Sequence, residues 1–71
     1  MNKSYVLLCM CEDLKNGKCI SLEESLLKYK ISEPTFRRYI ATLRDFFLEN
    51  LGEEIKYVSS EKCYKLEKVV K

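Results

Sequence analysis

Apolar positions along the chain first follow the spacing of helices and then, near the end, the alternation of strands. Leu7, Met10, Cys11 and Leu14 recur at i, i+3, i+4 and i+7, which predicts a first helix over about 4–15 with one buried stripe. Ser4 or Asn2 is its cap, and Asn16-Gly17 ends it with residues that tolerate positive φ. Tyr5, Leu8 and Cys9 lie off that stripe, so the helix is apolar nearly all round; such a helix is usually covered on both sides. Cys19-Ile20 reads as a short extended link. Ser21-Leu-Glu-Glu24 is a capping box, Ser at N-cap and Glu at N3. It predicts a second helix over about 21–29 that packs Leu22, Leu26 and Tyr29.

Ser32 caps a third helix, predicted over about 33–50, and Pro34 sits in its first turn, where a missing N–H costs little. Its buried stripe is Phe36, Ile40, Leu43 and Phe47. At about 100° per residue the opposite face holds Pro34, Arg38, Ala41 and Asp45. Thr35 and Thr42 lie on one shoulder of that face, Arg37 and Arg44 on the other. Leu51-Gly52 closes the helix. Ile55 and Tyr57, then Tyr64 and Leu66, alternate with Lys56, Cys63 and Lys65, which predicts a two-stranded hairpin over about 54–67. An isolated ribbon is marginal in water, so Ile55, Tyr57, Tyr64 and Leu66 are expected to lie on the helices. The fold class expected is mainly α with a small β-hairpin, one domain spanning 1–71.

Composition narrows the function. The 71 residues, 46% hydrophobic and 34% charged, suit one folded domain with a modest core. There is no His, which removes the commonest general base and metal ligand. Glycine stands only at 17 and 52, so no glycine-rich phosphate loop exists. A binding module rather than an enzyme is expected, without cofactor or metal. No apolar run approaches the roughly 18 residues of a membrane span. The short N-terminal apolar stretch lacks a cleavage site, and Met1 is present, so a cytoplasmic location is expected.

Cys9, Cys11, Cys19 and Cys63 have the even count of a disulfide framework. Two of them fall in one helix, and no spacing is Cys-x2-Cys or Cys-x4-Cys. Reduced structural cysteines are the favoured reading, with a disulfide or a Cys-only metal site as alternatives.

The net charge of +2 is an average over segregated blocks. Residues 1–27 carry −1, residues 28–44 carry +4, residues 45–54 carry −4 and residues 55–71 carry +3. Arg37, Arg38 and Arg44 belong to the basic block, and Arg suits phosphate and guanine. Two helices joined by a tight turn, the second basic and capped by Ser, form a helix-turn-helix candidate. A hairpin directly after the second helix would be a wing.

The stretch Ile31-Ser-Glu-Pro-Thr-Phe-Arg-Arg-Tyr-Ile-Ala-Thr-Leu-Arg44 resembles the motif of DeoR-type winged-helix regulators. Ile55-Lys-Tyr57 and Tyr64-Lys-Leu66 are similar to that family's wing, and the likeness spans roughly residues 4–67. It is close to the domains that precede WYL ligand-sensing domains in bacterial transcriptional regulators. The resemblance implies a winged helix-turn-helix that binds double-stranded DNA through Ser32, Thr35, Arg37 and Arg38, with a phosphate role for the hairpin tip near Lys62. The helical geometry independently favours Arg38, Thr35 and Thr42, and gives Arg37 a phosphate rather than a base. Three positions depart from the family pattern: Tyr39 replaces an Asp, Lys30 a turn Gly, and Ser25 an apolar residue. A winged helix used for protein–protein interaction is the alternative. The Tyr5, Leu8 and Cys9 patch is expected to meet a second copy or an adjoining effector domain.

Overall fold

In a computed structural model, which describes residues 2–68, the elements run α1 (Lys3–Lys15), β1 (Ile20–Ser21), α2 (Leu22–Tyr29), α3 (Glu33–Leu51), β2 (Glu53–Val58) and β3 (Cys63–Lys68). Position 1 and positions 69–71 of the expected domain lie outside the described residues. The protein is mainly helical, with a small antiparallel sheet in the order β1-β3-β2. The expected hairpin is therefore two-thirds of a sheet. Ile20 and Ser21, read from sequence as a link, pair with Tyr64 and Cys63. Two residues are too few to carry an alternation signal, and their partners lie far along the chain.

Each helix begins on a side-chain cap. The Asn2 side chain accepts from the Tyr5 N–H at 2.8 Å, Ser21 Oγ from Glu24 N–H at 3.0 Å, and Ser32 Oγ from Thr35 N–H at 3.4 Å. These bonds satisfy N–H groups that the helix itself leaves open. Helix α3 stops at Gly52, whose φ of 64° suits a residue without Cβ; its N–H reaches the Leu48 carbonyl at 3.2 Å. Helix α2 stops at Lys30, which adopts the same left-handed conformation, φ 53°, with a Cβ present. The turn between α2 and α3 is thus made by a lysine in a strained left-handed conformation.

The core forms where the three helices meet one face of the sheet. Phe36, Ile40, Leu43 and Phe47 are all buried, as their spacing predicts, and Tyr39 joins them at 8% exposure. On α1 the fully buried row is Val6, Met10 and Leu14, while Leu7, Cys9 and Cys11 are only partly covered. The expected stripe of Leu7, Met10, Cys11 and Leu14 is rotated. With apolar residues at 5–11 on every side, periodicity has too little contrast to fix which row turns inward. Ser25 is buried at 4% exposure, so the position is a core position despite its hydroxyl; Leu22 and Leu26 pack partly around it.

Cys19 and Cys63 form a disulfide, with Cα atoms 5.5 Å apart and a sequence separation of 44. This corrects the expectation of reduced cysteines, which holds only for Cys9 and Cys11. Spacing along the chain carries no trace of a contact made by folding. In the chain-entropy account, a closure of that length is worth about 4 kcal/mol, a large share for a domain of this size.

The Tyr29 side chain is buried and its hydroxyl has no hydrogen-bond partner. Burial pushes its ionisation up, with Lys28 opposing from 5.3 Å off the ring centroid. Removing an unpaired buried hydroxyl relieves a desolvation penalty, so Tyr29→Phe should raise stability by up to about 1 kcal/mol in urea unfolding. Folding delays ionisation of this phenol, so its contribution is whole below the unfolded value near pH 10 and declines as pH rises further. That alkaline decline should be smaller in Tyr29→Phe.

Candidate nucleic-acid interface

The hairpin, the N-terminus of α2 and α3 together border a groove of about 580 Å³. Ser21, Leu22 and Glu23 of the α2 N-terminus form one wall, Arg37 of α3 the next, and Tyr57, Glu61, Lys62 and Tyr64 of the hairpin the third. Tyr57 was expected on the helices, yet it is 55% exposed. Ile55, two residues earlier on the same strand face, is buried. A strand advances about 6.8 Å over two residues, which carries Tyr57 past the edge of the helical layer. There it packs edge-on against Tyr64 at 5.0 Å between centroids, and Tyr64 in turn meets the buried Phe36 at 5.7 Å. This aromatic chain anchors the hairpin tip to the first turn of α3.

The six residues read from sequence divide between the groove and the outer face of α3. Arg37 and Lys62 line the groove. Lys62 occupies the last position of the 59–62 turn with φ 52°, and the Glu61 N–H closes that turn on the Val58 carbonyl at 3.2 Å. Arg38 and Thr42 lie exposed on α3, Ser32 is exposed at its cap and Thr35 is half-buried beside it.

Hydrogen bonding separates these groups further. Ser32 Oγ donates to Thr35 Oγ1 at 2.9 Å and also accepts the Thr35 N–H, so Ser32 is occupied with capping. The Thr35 hydroxyl keeps its own proton free to donate outward. The Thr42 hydroxyl donates to the Arg38 carbonyl at 3.1 Å, leaving its methyl and an oxygen lone pair on the surface.

Charge is distributed unevenly among the cations. Arg37 pairs with Glu33 at 3.1 Å through both Nε and Nη2. Lys65 holds Glu61 at 3.2 Å, and Lys56 holds Glu67 at 3.5 Å. Among the described residues Arg38 and Lys62 take part in no ion pair. Sequence reasoning missed Ser21, Tyr57 and Tyr64 as groove residues. The capping box and the strand alternation marked all three, but only as structural positions.

A second exposed area lies on α1, where Tyr5 and Leu8 are 54% and 69% exposed. With Cys9, Glu12, Asp13 and Lys28 they line a shallow depression of about 350 Å³. Cys9 is partly packed into the core, so the outward patch is narrower than the sequence implied. Among the described residues no helix is long and apolar enough to cross a membrane. Protein-family models, curated proteins and solved structures were all compared with this chain, and none matches it.

Lys30 positions α3 relative to α2, and its left-handed backbone carries a Cβ penalty. Lys30→Gly should therefore stabilise the domain by about 1 kcal/mol, read as a higher urea midpoint with an unchanged slope. A lower midpoint would show that the Lys30 side chain matters more than its backbone.

Proposed function

We propose that the chain is a winged helix-turn-helix domain of DeoR type that binds double-stranded DNA sequence-specifically, as the reading head of a bacterial transcriptional regulator. The observation that carries this reading is the juxtaposition of an exposed, unpaired Arg38 on the polar face of α3 with a groove bearing Arg37 and Lys62. The element order also supports it: a helix pair joined by a tight turn, a hairpin directly after the second helix, and a short strand before the first. The motif around Ile31–Arg44 supports it from sequence.

In this reading the first half of α3 enters the major groove. Arg38 reaches a guanine N7/O6 edge, and the Thr42 methyl lies against a thymine methyl. The Thr35 hydroxyl, Arg37, Lys62 and the N-terminus of α2 hold phosphates and set the register. Ser32 contributes indirectly, by capping α3 and orienting Thr35. Asp45 and Glu49 keep the second half of α3 away from phosphate. Two half-sites read by two copies would supply affinity that one small domain lacks.

The test is a mobility shift at low salt on a duplex selected from a random pool. Arg38→Ala should lose about 1–3 kcal/mol and relax the preference at one base pair. Lys62→Ala should weaken all duplexes about equally and reduce the salt slope by about one. Equal binding by Arg38→Ala and the parent chain would overturn the assignment.

The exposed Tyr5 and Leu8 favour a second reading, a winged helix that serves as a protein-interaction module through α1. Amide shifts on adding nonspecific duplex separate the two: residues 32–42 move under the first reading and stay still under the second. If α1 meets a second copy, Leu8→Asp should convert a sedimenting dimer to monomer without unfolding it, because Leu8 is largely exposed already.

A further inference from the structure

The sequence expectation of no metal rested on spacing along the chain, and folding brings together a donor set that spacing does not show. Cys19 lies just before β1, Cys63 begins β3, and Glu61 stands in the turn that precedes β3. Their two sulfurs and a Glu61 carboxylate oxygen all lie within 4.8 Å of one another. Three features hold the set in place. Ser21 is the register partner of Cys63, which fixes the β1 backbone beside β3. Val58 is the other partner of Cys63, and its carbonyl accepts the Glu61 N–H, which fixes the turn. Cys63 is buried at 2% exposure, so its sulfur is confined, whereas Glu61 is exposed and offers a path inward.

We propose that in the thiol form Cys19, Cys63 and Glu61 make a binding site for a divalent cation of the zinc class, and that the disulfide is the closed state of the same site. A dithiol reductant supplies two electrons and two protons to the Cys19–Cys63 bond, giving two thiols, while the reductant closes to its own disulfide. The cation then displaces both thiol protons to solvent and bonds both sulfurs and one Glu61 oxygen. Thiolate and carboxylate are the donor types that such an ion takes. A tetrahedral ion with bonds of about 2.3 Å to sulfur holds two thiolates about 3.8 Å apart, so the sulfurs move from bonding distance to that spacing once the Cys19–Cys63 bond is cut. Three protein ligands leave a fourth position for water. Two thiolates and a carboxylate carry one negative charge more than the cation neutralises. Lys65, 3.2 Å from Glu61, balances it. Cys9 and Cys11 do not contribute, because they lie on α1, outside this donor set.

The site does not depend on the DNA reading, and its test uses no DNA. The full chain is reduced with a phosphine under anaerobic conditions, freed of reductant and titrated with cobalt(II), whose thiolate bonds give a near-ultraviolet charge-transfer band. The expected result is a saturable band at one ion per chain in the reduced parent and no band in the oxidised parent. The band should persist in the Cys9→Ser/Cys11→Ser double variant and vanish in Cys19→Ser. Glu61→Gln should weaken the ion about tenfold or more, since even groups that only support ligands cost this much. Zinc added in excess should displace the cobalt. Failure of a reduced parent that keeps its helical circular dichroism to develop the band overturns the proposal. So does a band that survives in Cys19→Ser or is lost in the Cys9→Ser/Cys11→Ser variant.

Discussion

Everything that faces the groove depends on the short ladder between β1 and β3. Ile20 and Ser21 pair with Tyr64 and Cys63, and the Cys19–Cys63 disulfide lies beside that ladder. A two-stranded ribbon has little stability of its own in water. Here the third strand gives β3 a partner on each side and ties the hairpin to the residue that caps α2. Ser21 thus has two duties: its backbone belongs to the sheet and its hydroxyl starts a helix. Loss of this ladder would leave the hairpin held by the Cys19–Cys63 disulfide and by its packing on α1 and α3, and the α2 wall of the groove would be joined to it less firmly.

Helix α3 supplies the other half of the scaffold by keeping its two faces chemically distinct. Burying Phe36, Ile40, Leu43 and Phe47 removes two large aromatic and two aliphatic side chains from water, each worth about 1.5–3 kcal/mol. Tyr39, buried at 8% exposure, extends this stripe. The core then holds the opposite face outward, with Arg38 and Thr42 on it. Lys30 and Lys62 both adopt left-handed backbone, at the two turns that set how α3 and the hairpin tip are presented. Strain at those turns fits segments selected for position rather than for stability.

Electrostatics sort the basic residues more finely than the segment charges do. Glu33 engages Arg37 on the surface, an ion pair worth little to stability but enough to orient the guanidinium. Glu61 is engaged by Lys65, and Lys62 takes part in no ion pair among the described residues. The acidic block at 45–54 occupies the far end of α3 and the entry to β2, away from Arg37 and Arg38. The net charge of +2 conceals a segregation of charge along the chain.

The sequence by itself determined the three helices to within a residue or two, their caps, the buried stripe of α3 and the hairpin. All of these are local: a cap acts over three residues, and a periodicity repeats within a few turns. It also brought Arg38 and Thr42 to the exposed face of α3, because a helix fixes the direction of each side chain once its core stripe is known. Only the tertiary structure decided which row of α1 turns inward, that Tyr57 overhangs the helices, that Cys19 meets Cys63 and that Ile20-Ser21 is a strand. Each of those depends on contacts between residues far apart in sequence. Their free energy is set when the whole chain closes, and no local pattern encodes it.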